Sequence, residues 1–249
     1  MAGILDMAED ELRMVREASD RYGQFYENAA EVTLLFSRMV QYDVSTPEVC
    51  YRFHAQAKKH HTLSLLSTVR RHRIQANQNL RYFLESAVIS AYALKDRDFS
   101  SYFDLATGIP VESRKVSAKA YTWVAAEYPW CSDQIREMKQ AINDHLAHSN
   151  IAASHATFHA EGKRIHAPFF DREDFDLERF DLWTCARAGL VALQLLMCVR
   201  QQYGGFLSND DIDVRWKPIQ DSQETLIGEF LNLPRFDVVK RELAEQETE

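Results

Sequence analysis

The most distinctive polar cluster of the sequence lies at residues 141–150, where a predicted helix ends. His145 and His148 are three residues apart and therefore neighbours on the helix, and Asn143 and Asp144 lie about one turn before His148. Because histidine titrates near neutral pH, His148 is a candidate general acid or base for a phosphodiester, with Asn143 and Asp144 orienting it or the substrate. The alternative is structural, since a histidine is also favoured at the negative end of a helix.

A second candidate lies in the apolar segment Leu80–Leu94, where Arg81 and Glu85 are one helical turn apart. Residues four apart on a helix are neighbours, so the two side chains can form an ion pair. The segment is too apolar to be mostly exposed, and buried charges need partners. The pair is therefore either a structural ion pair or part of a polar pocket that binds a substrate.

Basic residues are concentrated between Val49 and Leu84, which contains seven Lys or Arg residues and no Asp or Glu, although the chain has a net charge of −8. Such a patch attracts phosphates by counterion release, and we expect Arg70, Arg71 and Arg73 to contact a nucleic-acid backbone. Four histidines add hydrogen-bond donors within this stretch: His54, His60, His61 and His72. The alternative is that acids from other helices neutralise the stretch in the folded chain.

A small β-hairpin is predicted near residues 154–169, with Glu161-Gly162 as its two-residue turn. This register places His155, His159 and His166 on one face of the hairpin. Residues four apart on a strand are roughly 13 Å apart, so His155 and His159 could not share a metal ion, and only His166 could join either of them. We therefore expect no metal site.

The common sequence signatures of enzymes and cofactor sites are absent. There is no glycine-rich phosphate loop, no Gly-x-Ser-x-Gly motif and no pair of Cys-x-x-Cys motifs. We therefore expect no cofactor. The cysteines are widely spaced and are expected to be reduced thiols, which favours a cytoplasmic location: Cys50, Cys131, Cys185 and Cys198.

The elements that position these residues are predicted to be helices. With eight glycines and six prolines, the chain has few of the turn residues that an all-β protein needs. Apolar residues recur every three or four positions in segments that predict helices at about 12–39, 46–69, 75–95, 99–106, 111–127, 132–148, 177–203, 222–231 and 236–245. The fold class is therefore an all-α helical bundle with one small hairpin.

The chain length and the longest apolar stretch indicate one domain and no membrane span. A chain of 249 residues is within the range of one hydrophobic core, so we expect a single helical domain over residues 1–249. Its core would cover about residues 8–203, and a C-terminal helical appendage about 204–249. The apolar stretch Leu182–Val199 contains Arg187 and Gln194, which is typical of a buried helix rather than a membrane helix.

The order of these features resembles that of bacterial helical proteins of the HEPN (higher eukaryote and prokaryote nucleotide-binding) type. The residues that carry the resemblance are Leu80–Ala87, with its embedded Arg and Glu, the helix end Ile142–Ser149, and the long apolar helix from Leu177. Together they cover about residues 70–203. The resemblance implies a helical bundle that is often dimeric and, in many members, a metal-independent ribonuclease of a toxin, abortive-infection or other defence system.

The HEPN motif consists of an Arg, a polar residue, three variable residues and a His. Asn143, Asp144 and His148 occupy these positions, so the histidine is present but asparagine replaces the arginine. That arginine supplies positive charge to the scissile phosphate, and Lys139 or Arg81 could replace it in space.

From these residues we expect a HEPN-like protein that binds or cleaves RNA, or an inactive relative. The catalytic residues would be His148, Asn143 and Asp144, and the substrate would contact Arg81, Glu85, His145, Arg70, Arg71 and Arg73. The expected partners are RNA or a nucleotide, a second copy of the chain, and an antitoxin or nucleotidyltransferase, but no membrane. The alternative is a non-catalytic helical interaction module in which the apolar helix at 177–203 contributes to a dimer face. A metal or ligand carrier that uses the hairpin histidines is a third hypothesis.

Overall fold

Helices make up most of the structure, a computed structural model that describes residues 3–41, 45–103, 106–107, 113–145, 158–161, 164–166, 168–208, 212–234 and 237. The predicted all-α class is confirmed. The helices are α1 (Ile4–Arg16), α2 (Ala18–Tyr22), α3 (Gln24–Met39), α4 (Glu48–Val69), α5 (Arg73–Lys95), α6 (Ser113–Glu127), α7 (Pro129–His145), α8 (Phe175–Tyr203) and α9 (Ile212–Leu231).

The N-terminal helix is interrupted, although its apolar spacing predicts one continuous helix to Met39. It is divided into α1, α2 and α3, with breaks at Glu17 and Gly23. Gly23 has φ +53°, in the left-handed region that glycine adopts without a steric penalty, and its N–H bonds to the carbonyl of Ser19. The apolar periodicity continues across the break, which is why the sequence pattern alone does not reveal it.

The core lies between α3, α4, α5 and α8. The three-residue connection between α4 and α5 makes them antiparallel neighbours, and α8 packs against α3, α5, α4 and α7. The largest fully buried side chains come mainly from these helices and include Phe36, Phe83, Leu84, Leu94, Leu182, Leu193, Leu195 and Leu196. Helix α6 packs on α5 and α7, and α9 packs on α3 and α8. Strand β1 (Val40–Gln41) pairs with β4 (Leu207–Ser208) beside this core.

Helix α8 is long and apolar enough to cross a membrane by length and composition alone, with a mean hydropathy of 1.6 in its most apolar window. However, 72% of that window is buried inside the chain. The burial agrees with the prediction of a core helix. Most of its apolar residues pack against other helices of the same chain, and its contribution to a dimer face stays a prediction.

The predicted hairpin is present, but its register differs from the prediction. Strand β2 (His159–Glu161) pairs with β3 (Arg164–His166), with Glu161 opposite Arg164. The two residues between the strands are therefore Gly162 and Lys163, one position later than predicted. His159 and His166 are direct cross-strand partners.

His155 lies outside the described residues. Among the residues that the structure describes, no group of three or more His, Cys, Asp or Glu side chains could hold a metal ion.

The remaining differences concern shorter elements. Residues 99–106, predicted as a helix, contain a 3₁₀ turn at Phe99–Ser101. Helix α9 begins ten residues before the predicted start at Ser222 and contains Pro218, although proline normally ends a helix. Most of the predicted helix at 236–245 lies outside the described residues.

The turn between α4 and α5 places a non-glycine residue in a left-handed conformation. Arg71 has φ +57°. Its N–H bonds to the carbonyl of Thr68 at 3.0 Å, and the N–H of His72 bonds to the carbonyl of Ser67 at 2.8 Å. These two bonds form a Schellman motif, in which the left-handed position is usually glycine. Arginine at this position is therefore strained by its own Cβ.

Replacing Arg71 by glycine is expected to give a more stable protein than replacing it by alanine, by about 1 kcal/mol. Both variants lose the same side-chain contacts, with Glu173 at 3.5 Å and with the ring of Phe170 at 5.6 Å, so the difference isolates the backbone strain. Urea unfolding of the two variants measures it. Equal stabilities would show that the turn is not strained at Arg71.

Candidate functional site

The structure brings three of the predicted site residues together where α5 meets α7. Arg81 and Glu85 lie on α5, and Asn143 lies in the last turn of α7. The guanidinium of Arg81 donates to Asn143 Oδ1 at 2.8 Å and to Glu85 Oε1 at 3.2 Å. The i, i+4 ion pair predicted from the sequence is therefore present, and its arginine also reaches the second helix.

Lys139 and Tyr121 complete this group. Lys139 lies one turn before Asn143 on α7, and its Nζ is 3.0 Å from Glu85 Oε1. The same ammonium donates to the hydroxyl of Tyr121 at 2.8 Å and lies 4.3 Å from the centre of its ring. We call Arg81, Glu85, Lys139 and Asn143, together with Tyr121, the Arg81–Lys139 cluster.

The cluster is partly accessible and carries one excess positive charge. The side chains of Arg81, Glu85 and Lys139 are 35%, 28% and 18% exposed. Two cations therefore face one carboxylate, which both of them contact. Burial, with a further contribution from Glu85, raises the pKa of Tyr121 above its usual range, so its hydroxyl stays protonated at neutral pH. The arrangement holds several hydrogen-bond donors at one place, which suits an anionic ligand.

The other predicted residues of this helix end are only partly placed by the structure. Asp144 is exposed, and the oxygen of the neighbouring Asn143 accepts from Arg81. The structure describes the backbone of His145, which is the last residue of α7. His148 lies outside the described residues, so its predicted role stays a prediction.

The three arginines of the basic stretch that were expected to contact a nucleic-acid backbone lie at the start of α5 and in the turn before it, and each contacts an acid. Arg70 is 3.1 Å from Glu11. Arg71 contacts Glu173, and Arg73 forms a two-point ion pair with Asp181, at 2.7 and 3.2 Å. Acids from other segments thus neutralise this part of the stretch, which is the alternative that the sequence left open.

The four histidines of the stretch also have structural surroundings. His54 and His61 are buried in the core. Burial lowers the pKa of His54 to about 3 and that of His61 to about 4, so both are neutral at pH 7. His60 contacts Asn79 at 2.9 Å, and His72 contacts Glu11 at 2.8 Å. The two core histidines therefore add no positive charge to the surface.

A cavity of about 300 Å³ lies between the α4–α5 turn and the start of α8. It is lined by both signs of charge: Arg71, Arg73, Arg172, Asp171, Glu173, Asp174, Glu178 and Asp181, with Thr68 and Leu177. Burial raises the pKa of Asp181 to about 6, although the adjacent Arg73 opposes this shift. Sequence reasoning missed Asp181, because it lies in the charged first two turns of α8, beside Glu178 and Arg179, where an acid is not unusual.

A larger cleft of about 510 Å³ lies beside the Arg81–Lys139 cluster, between the start of α5, the end of α7 and the first half of α8. We call it the Trp183 cleft. It shares Arg73 and Asp181 with the smaller cavity, so the two meet at this ion pair. Its other lining residues are Asn77, Glu137, Met138, Ala141, Ile142, Phe180, Trp183, Thr184 and Arg187. No sequence motif indicated this cleft, because it depends on how three helices are packed.

Comparison with known proteins gives no information on function, so a proposed function rests on the geometry of this region. The HEPN resemblance continues to rest on the segments Leu80–Ala87 and Ile142–Ser149 and the helix from Leu177. Two of the three contribute residues to the Arg81–Lys139 cluster. No family model, no curated protein and no solved structure matches the chain.

Proposed function

We propose that this protein is a HEPN-like protein that binds RNA at the Arg81–Lys139 cluster. The observation that carries the proposal is the 2.8 Å hydrogen bond between Arg81 and Asn143. Asn143 stands where the HEPN motif has an arginine, and Arg81 supplies a guanidinium to this position from the neighbouring helix. The charge that the motif lacks in sequence is therefore available in space.

The chemistry of the cluster suits a phosphodiester. A guanidinium can donate two parallel hydrogen bonds to a phosphate, and a lysine ammonium adds a compact positive charge. Glu85 contacts both Arg81 and Lys139, so it holds the two cations close together before a ligand arrives. Because the cations outnumber the carboxylate, a bound phosphate would find one uncompensated positive charge.

The catalytic form of the proposal adds His148 as general acid or base. His148 follows the last residue of α7 by three positions in the sequence, and it follows Asn143 and Asp144 by five and four positions. The nucleophile of a metal-independent ribonuclease is the ribose 2′-hydroxyl, which needs a base to accept its proton. An inactive relative would retain the phosphate contacts without this proton transfer.

The second hypothesis, an interaction module without an active site, has less support from the geometry. In that case the polar residues at the end of α7 would satisfy one another beneath the surface. Instead, Asn143 bonds to Arg81, Asp144 is exposed, and an open cleft lies beside them. A homodimer and an antitoxin or nucleotidyltransferase partner stay predictions from the resemblance.

Replacing Arg81 by alanine is expected to weaken binding of a single-stranded RNA oligonucleotide by roughly 10–100-fold, the equivalent of one lost charge-assisted hydrogen-bonding group. Lys139→Ala should have a similar effect. Fluorescence anisotropy at low salt measures the affinity, and added salt should weaken it. The matched control is Arg136→Ala, because this arginine of α7 is exposed, lies outside the cluster and pairs with Asp133 on the same helix, at 2.9 Å.

The results of these measurements distinguish RNA binding from RNA cleavage. No RNA binding at low salt, or equal loss in the Arg81 and Arg136 variants, would contradict it. If the protein cleaves RNA, His148→Ala should abolish cleavage and retain binding. Retained cleavage in that variant would exclude His148 as the catalytic residue.

A further inference from the structure

The Trp183 cleft adjoins the proposed phosphate site on two helices at once. Asn77, in the cleft, lies one turn before Arg81 on α5. Ile142, also in the cleft, directly precedes Asn143 on α7. One helical turn spans about 5.4 Å, a distance that a nucleotide bridges between its phosphate and its base.

The wall of the cleft contains an aromatic pair. Phe180 and Trp183 on α8 are stacked, with ring centres 5.8 Å apart and an angle of 25° between their planes. The guanidinium of Arg187 lies 5.3 Å from the centre of the Trp183 ring. Trp183 itself is buried and donates its indole N–H to the carbonyl of Gln223, so the partly exposed planes of this wall are those of Phe180 and Arg187. Aromatic rings and arginine guanidinium planes are the groups on which proteins stack the bases of single-stranded nucleic acids.

Polar groups with both donor and acceptor capacity lie in the same cleft. The amide of Asn77 donates one hydrogen bond to the carbonyl of Arg73, which leaves its oxygen and a second N–H. The oxygens of Asp181 accept from Arg73 and have lone pairs for further donors. A nucleobase edge presents the complementary combination of donors and acceptors.

We propose that the Trp183 cleft receives one unpaired nucleobase of an RNA whose phosphate lies on the Arg81–Lys139 cluster. This inference rests on the proposed function and adds to it the place where a base of the RNA binds. A base in a duplex cannot enter the cleft because it is stacked and paired. The volume of about 510 Å³ is within the range of small-ligand pockets.

The experiment compares two simple probes, adenosine 5′-monophosphate and ribose 5-phosphate, which share the phosphate and the sugar but differ in the base. Their affinities are measured by isothermal titration calorimetry. We expect adenosine monophosphate to bind at least about tenfold more tightly than ribose 5-phosphate, which is the usual contribution of a stacked base. Single-stranded RNA should likewise bind more tightly than a duplex of the same sequence.

Two variants locate the effect. Ala141 lies at the exposed rim of the cleft on α7, so Ala141→Phe fills the entrance without removing any group of the Arg81–Lys139 cluster. Gln140→Phe introduces the same ring at the adjacent exposed position, which does not line the cleft. The preference for adenosine monophosphate should be lost in Ala141→Phe and kept in Gln140→Phe.

Each result has one meaning. Equal affinities for the two probes, with RNA binding that still depends on Arg81, would overturn the base pocket and leave the proposed function in place. A preference that survives in Ala141→Phe would overturn the location in the cleft. Absence of RNA binding altogether would overturn the proposed function and this inference with it.

Discussion

Replacing Gly189 by alanine is expected to destabilise the protein by about 2–3 kcal/mol, the usual cost of forcing an extra methyl group into a packed core. Gly189 lies in α8, where an added Cβ would overlap Val32 Cγ1 and come within 2.9 Å of His61 Cε1. Both neighbours are buried and have little room to move. In a thermal melt, a protein of this length should unfold roughly 4–12 °C lower.

The matched control is Gly228→Ala in α9. Nothing lies within 4 Å of a Cβ added there, so alanine should stabilise this helix by about 0.5–1 kcal/mol through its higher helix propensity. The two identical substitutions in helices therefore have opposite expected signs. If Gly189→Ala were also stabilising, the close packing of α8 against α3 and α4 would be wrong.

Lowering the pH below about 6.5 is expected to destabilise the protein through its two buried histidines. The pKa of His54 is lowered to about 3 and that of His61 to about 4, whereas an unfolded histidine titrates near 6.5. A lowered pKa in the folded state means that the unfolded chain binds the proton more readily. These histidines therefore leave the free energy of unfolding unchanged above pH 6.5. As the pH falls towards 4, they lower it by roughly 3 kcal/mol per histidine.

Asp181 acts in the opposite direction over part of the same range. Its pKa is raised to about 6 in the folded state, so the folded chain takes up this proton before the unfolded chain does. Between pH 6 and about 4, protonation of Asp181 therefore offsets part of the loss due to the histidines. The wild-type protein should show a smaller decrease in stability than the histidines alone would cause.

Urea unfolding at pH 7.5, 5.5 and 4.5 measures this balance in the wild type and in Asp181→Asn. The variant loses the contact with Arg73 at every pH, so its absolute stability is not the readout. The readout is the decrease in the free energy of unfolding from pH 7.5 to 4.5. This decrease should be larger in Asp181→Asn because the compensating carboxyl group is absent. A stability independent of pH between 7.5 and 4.5 in both proteins would contradict the burial of His54 and His61.

The long helices of the fold could be predicted because their apolar periodicity agrees with their packing. Helices α5 and α8 were predicted within about two residues of their starts, and the Arg81–Glu85 ion pair follows from a spacing of four. These features are local in sequence. The interruption at Gly23 was missed because the apolar pattern on both sides remained in phase.

The parts of the site that were not predicted depend on contacts between distant segments. The bond from Arg81 to Asn143 joins residues 62 positions apart, and the ion pair of Arg73 with Asp181 joins residues 108 positions apart. A single sequence does not state which helices cross. For that reason the basic stretch looked like a free phosphate-binding surface, whereas acids distant in sequence compensate three of its arginines: Glu11 pairs with Arg70, Glu173 with Arg71 and Asp181 with Arg73.

The sequential separation of the helices that form the core has a consequence for the order of folding during synthesis. Helices α4 and α5 are adjacent in sequence, so they can pair soon after they leave the ribosome. The partner of their inner face is α8, which ends at Tyr203. His61 illustrates the delay, since the carbonyl that accepts its Nε2–H belongs to Cys185, 124 residues later. The nascent chain must therefore carry an uncovered apolar surface on α4 and α5 until α8 has been translated, and that interval is when chaperone binding would matter most.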